Sequence, residues 1–481
     1  MTSTLANYVR ERNNRRRAEM TSAISAEPEG DLSKSTVSDA SKVVIRLGSM
    51  MQSCGASAYR IKIAMARLAR AIGASDFHSQ VSFGEISSTI YIDDTFRTEI
   101  AEQRRFGTNA AQLDRLRHFV QHLDPTMTVA KANATLNKIS QFGPEYSTIE
   151  NMLASGFSCA CFCFLNRGGL MECILAGIAA TFGQALRKQM MIRRMNHFGV
   201  WLMCGLVAAG VYVALASLAA WGLPFVFGLE KDLPLWFTGV SNGYRTGIVS
   251  AVLFLVPGFP MITAMLDLVR TDLLAGISRI TYVLMLVISA GVAVWLVSLG
   301  ANWRVDPPPH PPVGEPWLYL IRMLCSFAAA FGFAMLFNST RKLCLWAAII
   351  CAILNPLRFL GVDLGLYWQF AVGLESFAIG IFAHVISAVT GYRYSRVSLT
   401  VPAAVLMIPG VPLYAALTHM NQGNYAGAMD SLAQVSLVIL GIGIGLASAR
   451  LITDPGWRTE SALSRAVRAI GEGEDAAYQM R

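Results

Sequence analysis

Ten apolar stretches, each near the roughly 20 residues that a helix needs to cross a bilayer, constrain this chain more than any other feature. They run over 149–165, 168–186, 198–221, 248–268, 274–299, 317–337, 343–361, 367–388, 400–419 and 431–452. The first is short for a span, and Asn166-Arg167-Gly168-Gly169 forms the turn before the second. Charge is correspondingly scarce: residues 148–452 hold 17 Lys/Arg and 11 Asp/Glu, whereas 1–147 hold 19 and 15 in half the length. Only 15% of the 481 residues are charged, against about 25% in a soluble domain. That deficit excludes a wholly soluble enzyme, a disordered chain and a fibrous one. The predicted fold is mostly α: a polytopic membrane protein with about ten transmembrane helices in a 5+5 inverted repeat, plus a cytosolic α/β N-terminal domain.

The predicted organisation has six parts: a disordered basic segment (1–37), the α/β domain (38–147), a first five-helix half (148–300), a Pro-rich linker (301–316), a second five-helix half (317–452) and a polar tail (453–481). The net charge of +9 reads as loop charge under the positive-inside rule, because no basic stripe with interleaved aromatics points to nucleic acid. The basic N-terminus, Arg10 to Arg17, has no apolar run behind it and does not read as a signal peptide. With the N-terminus inside, the inner loops hold nine basic residues (Arg187, Lys188, Arg193, Arg194, Arg270, Arg341, Lys342, Arg393, Arg396) and the outer loops five (Arg167, Lys231, Arg245, Arg304, Arg358). Both termini are therefore expected in the cytoplasm of a plasma (inner) membrane protein. Eight of the nine cysteines lie in apolar segments and read as buried small hydrophobes, not disulfides or metal ligands.

The repeat rests on two signatures. Pro257-Gly258-Phe259-Pro260 and Pro409-Gly410-Val411-Pro412 each occupy the fourth span of a half. Small-residue stripes occupy the first span of each half and end at Asn166 and at Asn338. Five is odd, so tandem five-helix units cross the membrane in opposite senses, as inverted-repeat transporters do. Two prolines around a glycine should break each helix near the bilayer midplane. Broken backbone is tolerated there only beside protein or a water-filled cavity. The new helix N-termini, pointed at one site by inversion, would attract a carboxylate. Those eight residues, with Asn166 and Asn338, are the candidate substrate-binding set; a plain structural kink is the competing reading.

Intramembrane ionisable residues are costly and mark function by default. Glu375, deep in the eighth span, is the candidate for proton coupling or amine binding, against a satisfied structural pair. Asp267 and His419 each follow the first proline of their signature by ten residues, and with His384 they are candidate gates. Asn355 could bridge helices, and Arg279 and Arg322 are expected to snorkel. In the N-terminal part, helices are expected over 38–53, 61–72, 109–123 and 128–139, with strands over 79–83, 88–92 and 97–104. His118 and His122, four apart, could bind metal, but a solvated helix face accounts for them.

These residues together resemble the threonine/serine exporter family. The resemblance covers about 40–452. It rests on Gly55-Ala56-x-x-Tyr59-Arg60 with Met65, Arg67 and Ala69-x-x-x-Gly73; on Gly156-Phe157-Ser158-Cys159-Ala160-Cys161-Phe162 and Leu255-Val256-Pro257-Gly258-Phe259-Pro260; and on Gly332-Phe333-Ala334-x-x-Phe337-Asn338 and Pro409-Gly410-Val411-Pro412. The chain looks like a fusion of two halves that are separate subunits in related bacterial systems. Lys62 departs from the acid often found after Tyr-Arg-x. The resemblance implies proton-driven export of small hydrophilic amino acids, with dicarboxylates of the succinate type as the alternative cargo. No cofactor or metal is expected; the partners are an amino acid or dicarboxylate, protons and the lipid bilayer, with a homo-oligomer left open. A phosphate-binding Gly-x-x-x-x-Gly-Lys-Ser/Thr loop is absent, so ATP drive is not expected. His-Glu-x-x-His and Gly-x-Ser-x-Gly are absent too, which weakens the remaining alternative, a membrane-anchored enzyme acting through its N-terminal domain.

Overall fold

The computed structural model describes residues 32–103, 106–124, 127–227, 245–301, 315–391, 393–454 and Trp457. The expected disorder of 1–31, the Pro-rich run 306–312, the basic residues Lys231 and Arg304, and most of the tail lie outside them.

The N-terminal domain is a three-stranded meander packed on helices. Helix α1 (Leu32–Ser53) starts before the expected boundary, so 32–37 are helical. Then come α2 (Ala58–Ala71), β1 (Asp76–Val81), β2 (Glu85–Ile92), β3 (Thr95–Glu102), α3 (Ala110–Gln121) and α4 (Val129–Gln141). Strand order is β1-β2-β3, all antiparallel. Ile92 pairs with Thr95 across a two-residue turn in which Asp93 has φ 50°, the positive φ that such hairpins require. Alternation in β2 turns Ile86, Ser88 and Ile90 inward, and α1 and α2 cover that face. The helices cross where Gly48 meets Met65; a Cβ at Gly48 would overlap the Met65 sulfur.

The remainder is helical: α5 (Thr148–Leu165), α6 (Leu170–Ile192), α7 (His197–Phe227), α8 (Arg245–Ala251), α9 (Gly258–Val269), α10 (Leu273–Ala301), α11 (Glu315–Leu336), α12 (Arg341–Asp363), α13 (Trp368–Val389), α14 (Arg396–Ala404), α15 (Gly410–Asn421) and α16 (Tyr425–Thr453). Among the described residues, eight helices are long and apolar enough to cross a membrane. The bent pairs 246–255 with α9, and 396–407 with α15, bring the number to as many as ten where each pair counts as one broken span. These pairs are the fourth and ninth stretches read from the sequence.

Small residues set the closest helix contacts, as expected where lipid removes the hydrophobic drive between helices. Gly156 of α5 faces Gly177 of α6, where a Cβ would stand 2.6 Å from the Gly177 carbonyl oxygen. Gly332 of α11 faces Ser158 of α5 and leaves no room for a Cβ. The two small-residue stripes recognised in the sequence therefore pack on each other, joining the two halves. The cysteines are all free, and all but Cys325 are buried.

Several arginines sit elsewhere than expected: Arg322 (6% exposed, paired with Asp363) and Arg396 (3% exposed, in α14) are buried, as are two more. Arg358, counted above with an outer loop, is buried inside α12, and Arg279 does not snorkel but is 1% exposed. Each has an intramembrane carboxylate to face.

Candidate functional site

The two breaks share one backbone design. A turn of 3-10 helix (Leu253–Leu255, Val405–Met407) leads into an extended residue, Val256 or Ile408. Proline follows at φ −80°, ψ 61° (Pro257) and φ −79°, ψ 62° (Pro409). The next amide donates back across it: Gly258 N–H to the Val256 carbonyl at 2.9 Å, Gly410 N–H to the Ile408 carbonyl at 2.8 Å. These are inverse γ-turns centred on proline. The chain bends by 71° at the first and 42° at the second. Pro260 and Pro412 then fall in the first turn of α9 and α15, where a missing N–H costs no bond. The γ-turn uses one orphan amide and the second proline removes another. Only Phe259 and Val411 retain an N–H without a backbone partner in each first turn, so the polarised end expected from the sequence is narrower than a free helix N-terminus.

The broken spans also pack reciprocally. A Cβ on Gly258 would overlap Val405, which precedes the second break, and a Cβ on Gly410 would lie 3.1 Å from Val249, which precedes the first. An apolar cavity lined by Val249, Val256, Gly410 and Tyr414 lies between them.

A second cavity opens at the first break itself. Pro257, Pro260 and Thr263 form one wall, Arg187, Trp201, Arg279 and Tyr282 another, and the N-terminal domain closes it with Gln52, Gly55, Phe83, Phe106 and Thr108. Gln52 holds the β1–β2 turn by donating to the carbonyls of Ser82 and Phe83 at 2.6 and 2.9 Å. That places Phe83 in a stack on Phe106 (4.3 Å) and against Tyr282 (4.8 Å). Tyr282 in turn hydrogen-bonds His197 at 2.6 Å. Arg187 donates to the Phe254 carbonyl at 2.7 Å and lies 4.8 Å from the Trp201 ring centroid, while Trp201 donates to the Leu255 carbonyl at 2.5 Å. The cavity thus has cationic walls, an aromatic lid and the broken backbone as its floor. Sequence reading singled out only the floor. Arg187 reads as a loop charge because it ends an apolar run, and nothing in the linear pattern connects Phe83 or Phe106 to residues 150 or more positions away.

Asp267 joins the N-terminal domain to this wall. Its Oδ2 lies 3.4 Å from Arg279 Nη1, with both side chains almost fully buried, and its Oδ1 accepts the Ala58 amide at 3.0 Å. It therefore caps α2, whose own Ser57 makes no side-chain cap. Arg279 donates to the Ala56 carbonyl at 3.0 Å, Lys62 pairs with Asp272, and Arg270 stacks 3.4 Å over the Tyr59 ring. The stretch Gly55-Ala56-x-x-Tyr59-Arg60 is thus a docking surface for the end of α9, and Lys62 has an acid to answer it.

Docking recurs on the second half with the roles exchanged. Asp114 of α3 accepts the Ser395 amide at 3.0 Å and so caps α14, and Arg117 donates to the Tyr394 carbonyl at 2.8 Å. Burial pushes the Asp114 carboxyl up to about 7, although Arg117 and the two serine contacts oppose the rise. The N-terminal domain therefore holds the last turn of one broken span and the first turn of the other. Relative to it, the two broken spans run in opposite senses. Asp267 lies at the docked face, and His419, at the far end of α15, lies away from it; the His419 Nδ1 is buried without a partner among the described residues.

The structure assigns both asparagines to helix ends rather than to the breaks. Asn166 donates to the Phe162 carbonyl of its own helix at 2.9 Å. Asn338, at φ 55°, donates to the Asn109 side chain at 2.8 Å and accepts the Glu145 amide at 2.8 Å. Beside it, the carbonyls of Phe337 and Asn338 accept the first amides of α3 at 3.0 and 3.1 Å.

Glu375 has a buried counter-ion: Arg358 Nε lies 2.6 Å from its Oε2, with side chains 5% and 1% exposed. The contact is off the N–H direction, so charge rather than an aligned hydrogen bond holds it, and Oε1 has no partner among the described residues. Arg358 donates to Asn355 (2.6 Å), which donates to Ser326 (2.7 Å). This chain ties α13, α12 and α11 together and makes Asn355 a bridge between helices. His384 meets Arg396 at 2.5 Å. Among the described residues no cluster of three or more His, Cys, Asp or Glu could hold a metal ion; the His118 and His122 rings stack at 4.2 Å on an exposed face.

Comparison with known proteins gives two family matches in tandem. The family model described as "Putative threonine/serine exporter" matches residues 42–299, and that described as "Threonine/Serine exporter, ThrE" matches 322–452. The chain is 31% identical over 150 residues to the "Probable succinate transporter subunit YjjP" of Escherichia coli K12, which is 31% of this chain and 51% of that protein. It is 29% identical over 128 residues to the protein of the same name in Klebsiella aerogenes, 27% of this chain and 42% of that one. The chain thus spans about half the length of the curated relatives it matches. No solved structure matches it.

Proposed function

We propose that this chain, which belongs to the threonine/serine exporter family, is a secondary active exporter of small carboxylate-bearing metabolites, threonine and serine first, driven by the proton gradient. Membership supports a multi-pass membrane transporter over an enzyme. The observation that carries the reading is the cavity at the first break, where the half-buried Arg187, the buried Arg279 and the rings of Trp201 and Tyr282 surround the Pro257-Gly258-Phe259-Pro260 turn. A guanidinium fork in a water-poor cavity suits a carboxylate, and Phe83 and Phe106 of the N-terminal domain act as its lid. Arg279, tied to Asp267 and through it to the N-terminal domain, couples occupancy of the cavity to docking.

The 5+5 inverted repeat is supported by the matched γ-turns, the reciprocal packing of the breaks and their opposite senses. Alternating access then rocks one half against the other, with Asp267 and His419 as gates at opposite ends. The proton enters at Glu375, where a buried carboxylate with one unpartnered oxygen faces Arg358; protonation frees Arg358 and loosens the link from α13 to α11. The plasma membrane with both termini in the cytoplasm remains the favoured placement, carried by the loop-charge asymmetry.

A second reading, dicarboxylate export, has an observation of its own: the cavity presents two guanidinium groups, one for each end of a succinate-sized molecule. Proteoliposomes under an imposed pH gradient, loaded in turn with labelled threonine, serine and succinate, separate the two. Arg187→Gln should cut flux of the true cargo at least about tenfold while insertion is unchanged. Failure of all three cargoes to move, or full flux in that variant, defeats the reading.

A further inference from the structure

Gln52 of α1 is a buried wall residue of the cavity at the first break, 4% exposed. Its Nε2 is engaged by the β1–β2 turn, donating to the Ser82 and Phe83 carbonyls. Its Oε1 is buried and accepts no hydrogen bond among the described residues. A buried amide oxygen without a donor is costly. Such an atom at a cavity wall is accounted for when the occupant of the cavity supplies the donor.

The other polar groups of the wall are matched or cationic. Among the described residues that line it none is acidic, and Gln52 carries the only side-chain amide oxygen. The Tyr282 hydroxyl meets His197, and the Thr263 hydroxyl donates to the Phe259 carbonyl. Arg279 faces Asp267 and donates to the Ala56 carbonyl. Arg187 donates to two neutral oxygens instead, Gln184 Oε1 and the Phe254 carbonyl, and so keeps its charge for a cargo carboxylate. Gln52 and Arg279 flank the same ring: Gln52 holds the Phe83 carbonyl, and the Arg279 guanidinium lies 5.6 Å from the Phe83 centroid. The N-terminal domain thus contributes an acceptor beneath the aromatic lid, and α6 contributes a cation.

We infer that Gln52 is the specificity-determining residue of this cavity: its Oε1 accepts from the ammonium group of an α-amino acid whose carboxylate lies on Arg187. Resting on the reading of this cavity as the transport site, the assignment narrows the cargo from carboxylates in general to zwitterionic amino acids. A dicarboxylate brings no donor to Oε1 and leaves it unpaired beside a second negative group. A site built around a buried polar atom rejects an analogue lacking the matching group far more strongly than an apolar pocket rejects a misfit.

The test measures binding heat on the purified full-length protein in detergent with three ligands: threonine, β-hydroxybutyrate and succinate. β-Hydroxybutyrate is threonine without its amine. The wild-type chain should bind threonine at least about tenfold more tightly than either amine-free ligand. Gln52→Met and Gln52→Glu both remove the donors that hold the turn, but only glutamate keeps an oxygen for the ammonium. Gln52→Met should therefore bring the ratio of threonine to β-hydroxybutyrate affinity toward unity, while Gln52→Glu should retain a preference of at least about tenfold. A purely structural role weakens both ligands alike in both variants and leaves the ratio unmoved, which overturns the inference. So does a wild-type chain that binds β-hydroxybutyrate or succinate as tightly as threonine, a comparison that holds even if Gln52→Met fails to fold. Arg187→Gln should weaken threonine and β-hydroxybutyrate by the same factor, since both carry the carboxylate. If it changes neither, or if no ligand binds the wild-type chain, the transport reading of the cavity falls and the inference with it. If it weakens both while the Gln52 variants leave the ratio unmoved, the inference alone falls.

Discussion

At the scale of single residues, the informative positions are ion pairs whose members lie far apart in sequence or on different helices. Glu375 stands out in a linear reading because it is acidic and deep; its partner Arg358 does not, because it follows a proline near the end of an apolar run and reads as loop. Removing one partner of a buried pair leaves an unbalanced charge and typically costs about 3–5 kcal/mol. Glu375→Gln should therefore lose pH-dependent flux and also stability. The double variant Glu375→Gln/Arg358→Gln should recover the thermal midpoint without recovering pH dependence. If the double variant restores both, the pair is structural and the proton enters elsewhere. Asp114 yields a pH prediction of definite sign. Its carboxyl titrates near 7 in the folded chain against 3.8 for the free group, so the native state binds the extra proton, and stability falls as pH rises through that window. Docking of the N-terminal domain, followed by protease protection, should weaken from about pH 4 to pH 7 and then level off. Asp114→Asn should flatten the profile; an unchanged slope assigns the titration to another group.

At the scale of elements, the broken spans were largely legible. The ordinal match of Pro-Gly-x-Pro in two apolar stretches gives the existence and position of both breaks, since proline and glycine act locally and the sequence alone carries that information. The cavity was not legible, because its cationic and aromatic walls come from α1, the β1–β2 turn, α6, α7 and α10, whose meeting depends on tertiary packing. The strands and helices of the N-terminal domain followed their periodicity closely, whereas the purpose of Tyr59, Arg60 and Lys62 became visible only with Arg270 and Asp272 beside them. The two breaks also differ in a way no motif announces. A Cβ at Gly258 overlaps Val405, while one at Gly410 sits at 3.1 Å from Val249. Gly258→Ala should accordingly impair transport more than Gly410→Ala in the flux assay, and Pro257→Ala and Pro409→Ala should each lower it by letting the γ-turn relax toward continuous helix. Equal, full activity in all four variants would reduce the breaks to structural kinks.

At the scale of the whole molecule, the N-terminal domain belongs to neither half alone. A membrane carboxylate, Asp267, caps one of its helices, and one of its carboxylates, Asp114, caps a membrane helix. Loss of a single cap costs about 1 kcal/mol. Asp267→Asn, which also strands Arg279, should release the domain further than Asp114→Asn does, and the extent of protease cleavage in the N-terminal domain measures the difference. Similar cleavage in both would remove Arg279 from the docking argument.

The paired caps also bear on stoichiometry. The curated relatives are named as subunits, while this chain carries both family matches in one polypeptide. Because the first segment grips Phe337, Asn338 and Ser395 of the second, recognition between them does not need the covalent join. Residues 1–301 and 315–481, produced as two polypeptides, should still find each other and co-purify one to one.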